Sequence, residues 1–143
     1  MDDMLHSSAA VQSTAIALGK LLDDHKGGDV LVMDMRELNF WTDFFVIATV
    51  TSSTHSMGLE KHVKEFAREN DLEILRRSRK PESDDEWSLL DLGGIVIHLM
   101  TERARSFFEL ERLWSAAPFI YRGGKAYPDG QSSKSSSYST PSS

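Results

Sequence analysis

The sequence predicts a single α/β domain with a mixed sheet of about five strands and flanking helices. Three observations carry that expectation: three stretches have apolar residues at helical spacing, the other apolar runs are only strand length, and two of those runs flank a Gly-Gly pair. At 143 residues the chain suits one domain with a real core.

Val11, Ala15, Leu18 and Leu22 recur at i, i+4, i+7 and i+11, and Ile16 widens the stripe. This predicts an amphipathic first helix that ends at Gly27-Gly28, with Asp2 and Asp3 suiting its N-terminal side. Residues 30–35, VLVMDM, are apolar on both faces apart from Asp34, as in a central strand covered on both sides. FFVIATV, residues 44–50, makes a second apolar strand. The link between them is short, so they are expected to be antiparallel neighbours.

Thr51, Ser52 and Ser53 offer N-cap oxygens to a second helix. Its stripe is His55, Leu59, His62 and Phe66 with Val63 beside it, and it closes near Asn70. Residues 72–76 read as a short strand, and residues 76–86 as an exposed polar loop in which Arg76, Arg77, Arg79 and Lys80 precede Glu82, Asp84, Asp85 and Glu86.

Residues 86–118 hold two strands, a turn and an aromatic helix without a break. Gly93-Gly94 suits a two-residue primed turn. That turn sets Leu92 opposite Ile95, Leu90 opposite Ile97 and Ser88 opposite Leu99 on one nearly aliphatic face. The other face pairs Asp91 with Val96, Leu89 with His98 and Trp87 with Met100. Thr101 caps the next helix, which carries Ala104, Phe107, Leu110 and Trp114 at helical spacing until Pro118 ends it. Residues 1–121 are expected to form the domain. From residue 122 apolar residues nearly vanish among Gly, Ser and Pro, so residues 122–143 are expected to be a disordered tail.

Sixteen Lys and Arg against 22 Asp and Glu give a formal net charge of −6, which argues against nonspecific nucleic-acid binding and favours a basic protein partner. The absence of cysteine excludes disulfides, thiolate metal sites and thiol catalysis. No apolar run is long enough for a membrane span, and the chain reads as cytoplasmic. The five histidines are scattered, with only His55 and His62 sharing a helix face, two turns apart rather than at the usual i, i+4 ligand spacing. No metal or cofactor is expected. Neither Gly27-Gly28 nor Gly93-Gly94 belongs to a phosphate-cradling loop. Asp34 has two readings, a metal-binding or general-base carboxylate and an ion-pair partner of Arg36. The basic run at 76–80 has the residue types for RNA but no interleaved aromatic, and acidic residues follow it at once, so contact with rRNA is expected to be minor at most.

Several segments together resemble the ribosomal silencing factor, or Iojap-like, family. DVLVMDMRELNFWTDFFVIATVTSSTHS is similar to the family's strand-loop-strand-helix block. EWSLLDLGGIVIHLM followed by ERARSFFELERLWSAAP is similar to its C-terminal signature. The resemblance covers most of residues 11–118. It implies a nucleotidyltransferase-like fold without the catalytic motif, and Asp34 here is followed at two residues by Arg36 rather than a second carboxylate. It also implies a translation repressor that docks on the large ribosomal subunit, against its fourteenth protein at the intersubunit face, and blocks joining with the small subunit. No catalytic residue and no DNA contact are implied; a homodimer is. Departures from the family pattern are Val50 for a common glycine, Leu92 and Gly94 for a Tyr and an Asp, and Phe108 for a Tyr.

The expected partner site is the mixed hairpin face together with the helix that follows it. Its residues are Trp87, Leu89, Asp91, His98, Met100, Phe108, Glu109, Glu111 and Trp114, with Val96 within the same face. Two alternatives stand beside this reading. One is a nucleotidyltransferase-like enzyme using Asp34, and the other a free-standing dimerisation module. The mixed face has its own alternative, in which the helix carrying Trp114 or a dimer partner fills it.

Overall fold

Side chains that alternate along a strand can enter two separate cores only if both faces of the sheet are covered, and that is the arrangement here. The computed structural model describes residues 8–38, 42–79 and 86–131. In chain order these form α1 (Ser8–Asp24), β1 (Gly28–Asp34), a 3-10 turn (Arg36–Leu38), β2 (Phe44–Val50), α2 (Ser53–Glu69), β3 (Arg76–Arg79), β4 (Trp87–Asp91), β5 (Ile95–Thr101), α3 (Glu102–Phe108), α4 (Leu110–Leu113), β6 (Phe119–Arg122) and β7 (Lys125–Gln131). The strands make one sheet of seven, in the order β3-β4-β5-β2-β1-β6-β7, rather than the expected five or so. The sheet is mixed: β2 and β5 run parallel at its centre, and every other neighbouring pair is antiparallel.

Val30 and Val32 of β1, Phe44, Val46 and Ala48 of β2, and Ile95, Ile97 and Leu99 of β5 point to one core. Ala15, Leu18 and Leu22 of α1 and Leu59 and Val63 of α2 close it, so both long helices lie on one side as expected. Leu31, Met33, Phe45, Ile47, Val96 and Met100 point the other way into a second core, closed by Ala104 of α3, Leu110 of α4 and Ala117 and Phe119 beyond it.

The helix ends follow local chemistry. Ser52 Oγ accepts the His55 backbone N–H at 3.0 Å and caps α2, which closes on Asn70. At the end of α1 the left-handed position falls on Lys26, with φ 73°, one residue before the glycine pair. Gly27 N–H then reaches back to the Leu22 carbonyl at 2.7 Å. Asp2 and Asp3 lie outside the described residues. The Tyr121 hydroxyl donates to Asp23 Oδ2 at 2.6 Å, tying β6 to α1, and burial with this carboxylate neighbour pushes the phenol pKa up.

The β4–β5 hairpin has the expected register at every pair from Trp87 with Met100 to Asp91 with Val96, and Leu92 N–H bonds the Ile95 carbonyl at 2.8 Å. Of the two turn glycines Gly93 alone has positive φ, 93°, the position at which a primed turn with glycine first requires it.

Three expectations are corrected. The strand placed at 72–76 lies instead at Arg76–Arg79, where it pairs with β4 as the outer strand, so the start of the expected polar loop belongs to the sheet. Residues 80–85 lie outside the described residues. The expected disordered tail from residue 122 contains β7, Lys125–Gln131, paired antiparallel with β6; residues 132–143 lie outside the described residues. The aromatic helix is not continuous either. Glu109 takes left-handed φ 49° and ψ 53°, splitting it into α3 and α4. Leu110 thereby turns inward to 7% exposure while Phe107 is left 79% exposed.

Candidate functional site

The expected partner face is the inner wall of the second core. Trp87, Asp91, Val96, His98 and Met100 are buried and Leu89 is partly covered, which corrects their assignment to an open contact surface. The physical reason is the break at Glu109, which folds α4 and the segment beyond it back over the hairpin.

Inside this wall the polar atoms are only partly matched. The Trp87 indole N–H donates to His98 Nδ1 at 3.2 Å, so the imidazole proton sits on Nε2, which is sealed from solvent with no hydrogen-bond partner. The Phe45 ring meets His98 edge-on at 4.5 Å. Burial depresses the His98 pKa from 6.5 to about 3, so the ring is neutral at physiological pH. Asp91 Oδ1 accepts the Gly93 N–H at 2.8 Å and fixes the hairpin turn.

What faces outward is the α3–α4 shell. Phe108 is half-buried, its ring 4.5 Å from Trp87 and 4.9 Å from the exposed Phe107 ring. Trp114 is half-buried and meets Phe45 edge-on at 6.5 Å. Glu109 is exposed at the left-handed junction. Arg105 of α3, only 9% exposed, holds the shell to the sheet: Nη1 donates to Thr49 Oγ1 at 2.9 Å and Nε to Glu111 Oε2 at 3.1 Å. Thr101 Oγ1 accepts the Ala104 N–H at 3.1 Å, the expected N-cap. Beside this shell lies a 310 Å³ recess whose walls include Asp29, Glu102, Glu109, Glu111, Arg105 and Arg112, four carboxylates against two guanidinium groups. Sequence reasoning misses two of these residues. Arg105 is a single charge within an apolar segment, and no local pattern marks Phe107 as the exposed member of its aromatic pair.

Asp34 is held by its own neighbour. Arg36 donates from Nη2 to Oδ2 at 2.6 Å, from Nε to Oδ1 at 2.9 Å and from its backbone N–H to Oδ1 at 3.0 Å, while Gln12 Oε1 takes a further Arg36 N–H at 3.1 Å. Burial alone would raise the Asp34 pKa, but these hydrogen bonds and the adjacent positive charge bring it below the usual carboxylate range. Among the described residues no group of three or more His, Cys, Asp or Glu side chains is placed to hold a metal ion, and no helix is long and apolar enough to cross a membrane.

The fold and its surface define a single-domain α/β protein with a mixed central sheet, two cores and an aromatic-acidic helical shell. Residues 8–143 match the model of the family described as ribosomal silencing factor during starvation. A ribosomal silencing factor of Treponema pallidum is 35% identical over 105 residues, covering 73% of this chain and 93% of that protein. The Bacillus subtilis silencing factor is 34% identical over 67% of this chain and 80% of its own length. The chloroplastic Iojap protein of Arabidopsis thaliana is 34% identical over 72% of this chain and 42% of its own length. Among solved structures, a Chromobacterium violaceum protein superposes with a TM-score of 0.63 at 26% identity, covering 71% of this chain and 84% of that one. A Bacillus halodurans protein gives a TM-score of 0.61 at 28% identity, covering 76% and 98%. The chain belongs to the ribosomal silencing factor family.

Proposed function

We propose that the protein represses translation in the cytoplasm by binding the large ribosomal subunit through its α3–α4 shell, against the fourteenth protein at the intersubunit face, and so blocks joining with the small subunit. Its role in this reading is occupancy rather than catalysis. The observation that carries it is Phe107, 79% exposed on α3 beside Phe108, with the acidic recess on the same helix. An exposed aromatic offers area that is desolvated only on binding, and a surplus of carboxylates in the recess favours a basic partner and speeds correctly oriented encounter. Partner contact thus rests on Phe107, Phe108, Glu109, Glu111 and Trp114, while Trp87, Leu89, Asp91, His98 and Met100 support them from behind. The bonding of Asp34 to Arg36 weighs against a nucleotidyltransferase-like reaction there, since both of its oxygens already accept hydrogen bonds from that one side chain.

Co-sedimentation with purified large subunits tests the reading. The native chain should pellet with them, and Phe107→Ala should weaken binding by about 2 kcal/mol, roughly thirtyfold, with an unchanged melting temperature. A chain that stays in the supernatant while forming dimers would overturn the proposal in favour of a self-association module. Full binding by a folded Phe107→Ala variant would remove this surface from the contact.

A further inference from the structure

We propose that the seam between the end of α1 and α2 is a proton-operated clasp, closed by the stack of His25 on His62 and by the His55 bond at the head of α2, and loosened by acid. The three imidazoles line one 270 Å³ recess with Asp24, Lys26 and Leu59. His25 follows the last turn of α1, and its ring lies on that of His62 with centroids 3.6 Å apart and planes 18° from parallel. Two neutral rings stack well at that separation, and one charged ring over one neutral ring also does. Two imidazolium rings at that separation repel each other.

His55 adds an independent response of the same sign. Its Nδ1 accepts the Thr51 backbone N–H at 3.0 Å, so its proton resides on Nε2, which is sealed from solvent without a hydrogen-bond partner. A second proton at Nδ1 would abolish the bond from the Thr51 backbone N–H, leaving the Thr51 hydroxyl oxygen 3.3 Å away to accept it, and would place positive charge at the positive end of the α2 dipole. The charged groups facing the cluster do not cancel this. Asp24 of α1 can offset one charge and Glu65 of α2, 3.8 Å from His62 Nδ1, another, while Lys26 in the turn adds a further positive group. Protonation of these rings therefore strains the stack and the helix head together. Leu59, 1% exposed beneath the recess, is the core residue that an open seam would wet. A shared metal ion is the less suitable occupant, because parallel rings aim their in-plane lone pairs side by side rather than at one point.

Hydrogen exchange, corrected for the intrinsic pH dependence of the amide rate, tests the clasp. Between about pH 7.5 and about pH 5.5, amides at 22–27 and 53–62 should lose roughly tenfold more protection than those of β2 and β5. His62→Gln and His25→Gln should each reduce that excess to about twofold or less at 22–27, since an amide cannot take up the proton, while the response of His55 persists at the head of α2. The proposal is overturned if protection in the native chain falls equally across seam and sheet. It is also overturned if the local excess at 22–27 survives unchanged in either variant. The native comparison stands alone should a variant fold poorly.

Discussion

The indole N–H of Trp87 donates to Nδ1 of His98 across the β4–β5 pair, 3.2 Å away, and leaves the opposite imidazole nitrogen in the second core without a partner. This couples stability to pH. A His98 pKa of about 3 in the folded protein lies well below its ordinary 6.5, so on acidification the unfolded chain takes up a proton that the native state refuses. The contribution is intact above about pH 6.5 and is lost progressively as pH falls towards about 3, at roughly 1.4 kcal/mol per unit. Urea unfolding at about pH 7 and pH 5 should therefore differ by about 2 kcal/mol from this residue alone. In His98→Phe the profile should flatten, although loss of the indole–imidazole hydrogen bond makes that variant weaker at neutral pH.

Trp87→Ala separates support from contact. Trp87 is 8% exposed and packs against Phe108 and His98, so truncation should cost about 3 to 5 kcal/mol of stability. A variant that melts normally would mean that the indole does not help to close the second core.

Glu109→Gly should stabilise the fold by roughly 0.5 to 1 kcal/mol. Left-handed backbone costs a non-glycine residue about 1 to 2 kcal/mol, part of which is returned by the greater freedom of glycine in the unfolded chain. The substitution also removes the exposed ion pair with Arg112, but at 3.4 Å in open solvent that pair is worth little. A lower melting temperature would mean that the left-handed turn between α3 and α4 carries no strain for glycine to relieve.

Gly19→Ala should destabilise despite the better helix propensity of alanine. An added Cβ would lie 2.8 Å from Val32 Cγ2 and 3.3 Å from Tyr121 Cδ1, both in the first core. Overpacking of that kind costs about 1 to 3 kcal/mol against a propensity gain of about 1 kcal/mol, leaving an expected net loss of up to about 2 kcal/mol in thermal unfolding.

Ending the chain at Arg122 should cost about 2 kcal/mol or more, because it removes the β6–β7 ladder, the Tyr127 ring 5.5 Å from Phe119 and the Gln12 bond to the Pro128 carbonyl. An unchanged denaturation midpoint would show that β7 contributes no stability.

The fold is legible in the sequence wherever one local rule acts alone. Period two with a Gly-Gly turn places each cross-strand pair of the hairpin, and the stripe from Val11 to Leu22 places α1 and its buried side. It is illegible where position in the sheet overrides composition. RRSR reads as loop because of its charge and KAYPDGQ as tail because of its proline and glycine, yet outermost strands tolerate both. Nothing in SFFELER announces that a glutamate will take the left-handed conformation, so the stripe through Phe107, Leu110 and Trp114 reads as one helix. A continuous helix would leave the hairpin face open, and the single turn at Glu109 is what closes that face and sends Phe107 outward in its place.

The parallel β2–β5 pair also governs how the chain must assemble. β1 with β2 and β4 with β5 are local antiparallel units, but Phe44 meets Ile95 only after the whole intervening segment has been looped out. The central seam therefore bears a loop-closure cost that neither local unit bears, and is a step exposed to delay. While it waits, β2 and β5 each present a bare edge of almost wholly apolar residues, which is the form of the molecule most prone to mispairing with another nascent chain.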